Sequence, residues 1–164
     1  MRDIANIATD NLEEIVEIGS NFKIVVTGHS MLPLLGFGRD TIVLRRIDDT
    51  EDISNRVAMF RNERGHIVVH RVISIQDGVV TLRGDGNLYQ IEKTSRKRII
   101  ALLESVIRES GKEISCTSPQ WRRKERLWLS LPLWVRRYTP LMALISFGIG
   151  SRHTAVCDNQ HLAF

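Results

Sequence analysis

The sequence predicts a mainly β fold built on an antiparallel sheet, and three observations carry the prediction. Runs rich in β-branched and aromatic residues recur at Phe22 to Thr27, Thr41 to Ile47, Val57 to Phe60, His66 to Ile75 and Val79 to Leu82. Between the last two stands Asp77-Gly78, a two-residue hairpin signal, because both positions of such a turn must tolerate positive φ. The texture then breaks at Pro119, after which all three tryptophans, Trp121, Trp128 and Trp134, fall within fourteen residues of basic and apolar sequence.

Taken in order, residues 1–21 predict a short helix. Asp10 with Glu13 three positions on is a capping-box pattern, and Leu12, Ile15 and Val16 give the following turns one apolar side. The strand-rich part runs over residues 22–116, with Asn62-Glu63-Arg64-Gly65 as a second connector. Within it, Arg98 to Arg108 reads equally as a helix or as a strand that returns through Ser110-Gly111-Lys112 toward Cys116, since periodicity does not separate the two. Residues 117–164 form a basic, tryptophan-rich, amphipathic tail that is partly helical. Its uncharged runs, Leu127 to Val135 and Tyr138 to Ser151, are shorter than the ~20 residues of a spanning helix.

Composition narrows the function classes. At 164 residues, 43% hydrophobic and 26% charged, the chain suits one folded domain with appendages rather than a disordered polymer. The formal charge of +4 is largely local: Arg122, Arg123, Lys124, Arg126, Arg136 and Arg137 face only Glu125 between positions 121 and 137. Two cysteines, Cys116 and Cys157, make neither a disulfide framework nor a cysteine-rich zinc site. The opening residues carry Asp3, Asp10, Glu13, Glu14 and Glu17 without an apolar run, so neither an export signal nor a membrane anchor is expected there. A cytoplasmic or peripherally membrane-associated protein is the expectation.

The candidate chemistry centres on Ser30. An apolar run, Ile24-Val25-Val26, leads through Thr27, Gly28 and His29 to the serine, and Pro33 then blocks regular pairing, so the hydroxyl is expected at a strand end. A serine hydroxyl is inert near neutrality unless a base takes its proton during attack. His70 is the candidate base: strand alternation puts it on one face with Val68 and Val72, and sends Arg71 to the other with Val69 and Ile73. Desolvation on an apolar sheet face keeps an imidazole neutral and able to accept a proton. Asp85, in Arg83-Gly84-Asp85-Gly86-Asn87, sits in a glycine-flanked turn that can aim a carboxylate back at the sheet and orient the imidazole. Each residue also has an ordinary reading: a turn serine, a core histidine held by a hydrogen bond, a turn aspartate. His66 and His70 are four apart, but on a strand that is roughly 13 Å, too far for one ion, so no metal and no cofactor are expected.

Four segments in order carry a resemblance: Gly28-His29-Ser30-Met31-Leu32-Pro33, Gly38-Arg39-Asp40-Thr41-Ile42-Val43, Val68-Val69-His70-Arg71-Val72-Ile73 and Leu82-Arg83-Gly84-Asp85-Gly86-Asn87. Together they resemble the boxes of type I signal peptidases and their LexA-like relatives, over about Lys23 to Ile91. Histidine rather than lysine at position 70 is similar to the archaeal and endoplasmic-reticulum branch. The resemblance implies a coiled, barrel-like all-β fold, with Ser30 as nucleophile, His70 as base and Asp85 as acidic partner. Two departures stand out. Gly28 occupies the place of a serine common in signal peptidases, which leaves the oxyanion hole to backbone N–H groups such as those of His29 and Ser30. Ile91 stands near the place of a second acidic residue, with Glu92 adjacent, so either Asp85 or Glu92 could orient His70.

The expected function is that of a serine endopeptidase that takes an extended peptide, a leader or signal-like segment, along a strand edge. Two alternatives remain. A LexA-like self-cleaving regulator would need a DNA-binding helix-turn-helix and an internal Ala-Gly or Cys-Gly bond, neither of which the sequence carries. A non-catalytic peptide- or membrane-surface-binding module with a decayed site would instead use the tail, whose tryptophans and arginines alternate with leucines as interfacial segments do. A peptide or preprotein and a membrane surface are thus the expected partners. One basic patch without a reader fold does not point to nucleic acid.

Overall fold

The computed structural model describes residues 2, 3, 17–36, 38–87, 89–132 and 134–136. The chain is mainly β, with one open, predominantly antiparallel sheet. Its strands are β1 (Arg2–Asp3), β2 (Asn21–Val25), β3 (Thr41–Arg46), β4 (Val57–Arg61), β5 (Ile67–Gln76), β6 (Val79–Arg83), β7 (Ile91–Ser95), β8 (Ile99–Ile107) and β9 (Glu113–Ser115). They hydrogen-bond in the order β1-β2-β3-β8-β4-β5-β6-β7, with β9 added beside β8. Among the described residues no ladder joins β7 to β1 or β2, so the hydrogen-bonded sheet does not close. A helix of twelve residues, α1 (Pro119–Ser130), follows, capped by the Ser118 hydroxyl accepting from Trp121 N–H at 3.2 Å with Pro119 at the first helical position.

Local chemistry accounts for the elements. The β5–β6 hairpin turns on Asp77 at φ 50° and Gly78 at φ 76°, the two positive values its two-residue loop demands. Arg98 to Arg108, undecided by sequence, is strand β8: its first half pairs with β4 and its second with β9, while β3 covers its other edge. A strand enclosed between neighbours and buried on both faces reads as a continuous apolar run, which is why alternation was missing. Of the helix expected over 1–21, Arg2–Asp3 is extended and pairs parallel to Phe22 and Lys23, and the Asp10–Glu13 capping pattern lies outside the described residues.

The sheet carries a cluster of buried apolar side chains on each face. Alternation along β4 sends Val57 and Met59 into one, with Phe22, Ile42, Leu44 and Leu103, and Ala58 and Phe60 into the other, with Val72, Val80 and Leu82. Trp121 and Trp128 of α1, 2% and 6% exposed, belong to the first cluster. Residues 119–130, assigned to the tail by composition, therefore share a core with the sheet; two fully buried indoles contribute roughly 1.5–3 kcal/mol or more each. No helix among the described residues is long and apolar enough to cross a membrane.

Candidate active site

Ser30 sits on the loop between β2 and β3, and that loop is held from within. Val26 N–H donates to Asp40 O at 3.0 Å and Gly38 N–H to Val26 O at 2.9 Å, closing its base. The Asp40 carboxylate, 1% exposed, accepts from Gly36 N–H and from the side chains of Arg39 and Arg108. Arg108 also donates to Leu34 O at 3.1 Å. Met31, Leu34 and Leu35 point into the core below. A polar hub and an apolar underside fix the loop, leaving Ser30 half-buried at its surface.

His70 lies on β5 opposite Ala58 of β4, on the face it shares with Val72. The small Ala58 leaves room for the ring, which is 3% exposed and tilted against Phe60 at 6.1 Å between centroids. Its Nε2 is 3.0 Å from Ser30 Oγ, a hydrogen-bond distance. Burial depresses the imidazole pKa below its ordinary value; the negative charge of Glu92, and after it that of Asp85, acts in the opposite sense. The ring is therefore neutral near pH 7. Its Nδ1 is buried and has no hydrogen-bond partner among the described residues.

Asp85 has other partners. Its carboxylate, 2% exposed, takes a two-pronged ion pair from Arg71, with Nε to Oδ1 and Nη2 to Oδ2 both at 2.8 Å. The remaining Arg71 nitrogen donates to Asn55 O at 2.9 Å and to Glu125 of α1 at 2.6 Å. Burial alone would lower the Arg71 pKa, but its bonds and charge contacts to Asp85 and Glu125 outweigh it and raise the value. The Asp85 carbonyl accepts from Trp128 Nε1 at 3.1 Å and Arg136 Nη2 at 3.0 Å. No hydrogen bond joins Asp85 to His70 among the described residues. The structure thus brings Ser30 and His70 together and sets the Asp85 carboxylate into a buried network on the Arg71 side of β5.

That network positions the turn carrying Asp85 against the serine. Gly86 N–H donates to Ser30 O at 2.8 Å. A Cβ built on Gly84 would fall inside contact distance of the Ser30 carbonyl oxygen and 3.0 Å from Ser30 Cβ, so only glycine allows this approach. β6 ends at Arg83, opposite Arg71 of β5 and Ile91 of β7, so Gly84 is the first residue past the ladders. Glu92, half-buried, pairs with Leu82 on β7, and its Oε1 accepts from Gln90 Nε2 at 2.8 Å.

Beside Ser30 opens a cleft of about 200 Å³, lined by Ile24 to Gly28, Met31, Leu35, Ile42 and Ile67 to Val69. Its two long walls are strand edges. Among the described residues, Ile24 and Val25 pair with β3 alone, and Ile67 to Val69 with β4 alone, because β6 joins β5 from Arg71 onward. No hydrogen bond engages Ser30 N–H among the described residues; His29, the other backbone donor considered, is exposed beside it. His66 is exposed while His70 is buried, so the two rings do not face one site. Cys116 is half-buried near Glu125, and burial followed by that negative charge pushes its thiol up to about 12, too high for a thiolate nucleophile near neutrality.

Sequence reasoning missed Glu125, Trp128 and Arg136 as members of the site's supporting shell. One signal existed: Glu125 is the sole acid in the basic stretch from 121 to 137. No family model matches the chain, and no curated protein matches its sequence.

Proposed function

We propose that the protein is a serine endopeptidase of the signal-peptidase type, with Ser30 as nucleophile and His70 as general base. The observation that carries this reading is the 3.0 Å contact between Ser30 Oγ and His70 Nε2, made by a buried ring held neutral by desolvation. In the tautomer with hydrogen on Nδ1, Nε2 accepts the hydroxyl proton as Oγ adds to a peptide carbonyl. The imidazolium so formed returns that proton to the leaving amine, and the resulting acyl ester on Ser30 is hydrolysed by water activated in the same way.

Supporting the choice of substrate is the cleft between two strand edges. An extended peptide can hydrogen-bond to Ile24–Val25 on one side and Ile67–Val69 on the other, which carries its carbonyl past Ser30. The lining of Val26, Met31, Leu35 and Ile42 favours a small or apolar side chain next to the cut. The Ser30 N–H, with that of His29, supplies the backbone donors for the oxyanion. Glu92 is the better candidate to stabilise the imidazolium, because its charge acts more strongly on His70 than that of Asp85, whose carboxylate Arg71 already occupies.

The test is direct. A peptide pool incubated with the purified wild type, and read by mass spectrometry, should show cleavage that Ser30→Ala lowers by about 10⁴-fold or more with the melting temperature unchanged. Cleavage surviving in Ser30→Ala, or no cleavage of any peptide by the wild type, would remove the assignment.

A further inference from the structure

Helix α1 has two chemically opposite faces. Its inner face gives Trp121 and Trp128 to the core and Glu125 to Arg71. Outward, Arg122, Arg123, Lys124 and Arg126 are all exposed, and among the described residues none of the four has a carboxylate within ion-pair distance. The one acid of this stretch, Glu125, is turned inward by its bond to Arg71, so the outer face keeps four uncompensated positive charges.

Among those charges stand large apolar side chains. Leu127 is 66% exposed, Leu129 38% and Trp134 70%. Leu127 lies one turn from Arg123 and Lys124, on the same side of the helix. Leaving a leucine and an indole in water forgoes roughly 1.5–3 kcal/mol for each when compared with burial. Long basic side chains beside them can lay their stems on an apolar boundary and keep their heads at its charged surface.

We infer that the outer face of α1 docks on an anionic phospholipid surface, with Leu127 and Trp134 entering the headgroup boundary and Arg123 and Arg126 contacting lipid phosphates, while Leu129, two positions from Leu127, lies on another side of the helix. Nucleic acid would match the charge but would leave the exposed Leu127 beside Arg123 without a role, so the lipid is the occupant that uses both the cations and the apolar side chain of this face. The docking does not depend on catalysis by Ser30. It would, however, hold the site at the bilayer, since the inner face of the same helix bonds Arg71 and the Asp85 carbonyl.

The experiment is co-sedimentation of the full chain with phosphatidylcholine vesicles and with mixed phosphatidylcholine–phosphatidylglycerol vesicles. Binding should require phosphatidylglycerol and weaken as salt rises. The double variant Arg123→Gln/Arg126→Gln should lose about thirtyfold in affinity, at roughly fivefold per cation. Trp134 is the exposed one of the three indoles, so its emission should shift to the blue on binding and the shift should vanish in Trp134→Phe. Equal binding to neutral vesicles, no binding to either, wild-type affinity in the double variant, or tighter binding of a single-stranded oligonucleotide than of the anionic vesicles would each overturn the inference. Ser30→Ala should bind vesicles as the wild type does, which separates this result from the peptidase test.

Discussion

His70 and Arg71 are neighbours on one strand, and their surroundings could hardly differ more. On the His70 face a neutral ring makes one polar contact among the described residues, to Ser30 Oγ, and its second nitrogen has no partner among them. On the Arg71 face a guanidinium is engaged by Asp85, Asn55 and Glu125, and the turn carrying Asp85 is tied down again by Trp128 and Arg136. A group meant to change protonation must not be saturated, because every bond to one state resists the other. A group meant to hold a loop in place should be saturated, because an unmet buried charge is costly. The contrast sorts residues that react from residues that position, although both kinds are buried and polar.

The largest expected effect on folding follows from that division. Asp85→Asn should destabilise the chain by about 3–5 kcal/mol in urea unfolding, since it strips a buried charge from Arg71. If Asp85 instead oriented His70, the same variant would keep its stability and lose mainly kcat, and the contrast between the two faces would collapse. Next is Gly84→Ala. Its methyl must displace Ser30 or the turn, so a loss of about 1–3 kcal/mol is expected, with kcat down about a hundredfold from misplacement of the nucleophile on the order of 1 Å. A variant as active and as stable as the wild type would show that the approach of Gly84 to Ser30 is slack.

Glu92→Gln should be the mildest. Its stability is expected within about 0.5 kcal/mol of wild type, because the residue is half-buried and, among the described residues, its carboxylate accepts from Gln90 alone. Its readout is the pH profile. The carboxylate raises the His70 pKa against the depression caused by burial, so removing the charge should move the acid limb of kcat/KM to lower pH and reduce kcat. A limb that moved up, or stayed in place, would assign Glu92 no influence on the ring.

Much of the first face was legible in the sequence, and little of the second. Alternation through Val68-Val69-His70-Arg71-Val72 separated the imidazole from the guanidinium, and Ile24-Val25-Val26 followed by Gly28 and Pro33 placed Ser30 at a strand end, whereas β2 stops at Val25 and the serine stands on the loop that follows. Both inferences use only neighbours along the chain. The surroundings of Asp85 are a tertiary fact: they depend on β6 ending at Arg83, and on Trp128 of α1 and Arg136 beyond it arriving from more than forty positions further along. Strand β7 escaped notice because Ile91-Glu92-Lys93-Thr94-Ser95 is an edge strand with only Thr94 fully buried, so it has no hydrophobic alternation to read. Sequence reasoning names Glu92 as a candidate to orient His70, but its place on β7, paired with Leu82, was not legible. Pro119, by contrast, was legible as a boundary, and α1 begins there behind the Ser118 cap.

The burial of His70 makes one further sign definite. A ring whose folded pKa is depressed adds stability that is full above its unfolded pKa and is lost as pH falls through the folded value. Catalysis should follow the same ionisation, because only the neutral ring accepts the Ser30 proton. The most direct measurement is therefore the pH dependence of kcat/KM for the best-cleaved peptide, taken above the pH at which the fold itself is lost. A single acid limb with its midpoint below about 6.5, the ordinary imidazole value, is expected, together with loss of cleavage in His70→Ala. A profile flat from about pH 5 to 8, or one still seen in His70→Ala, would contradict the claim that a buried neutral imidazole activates Ser30.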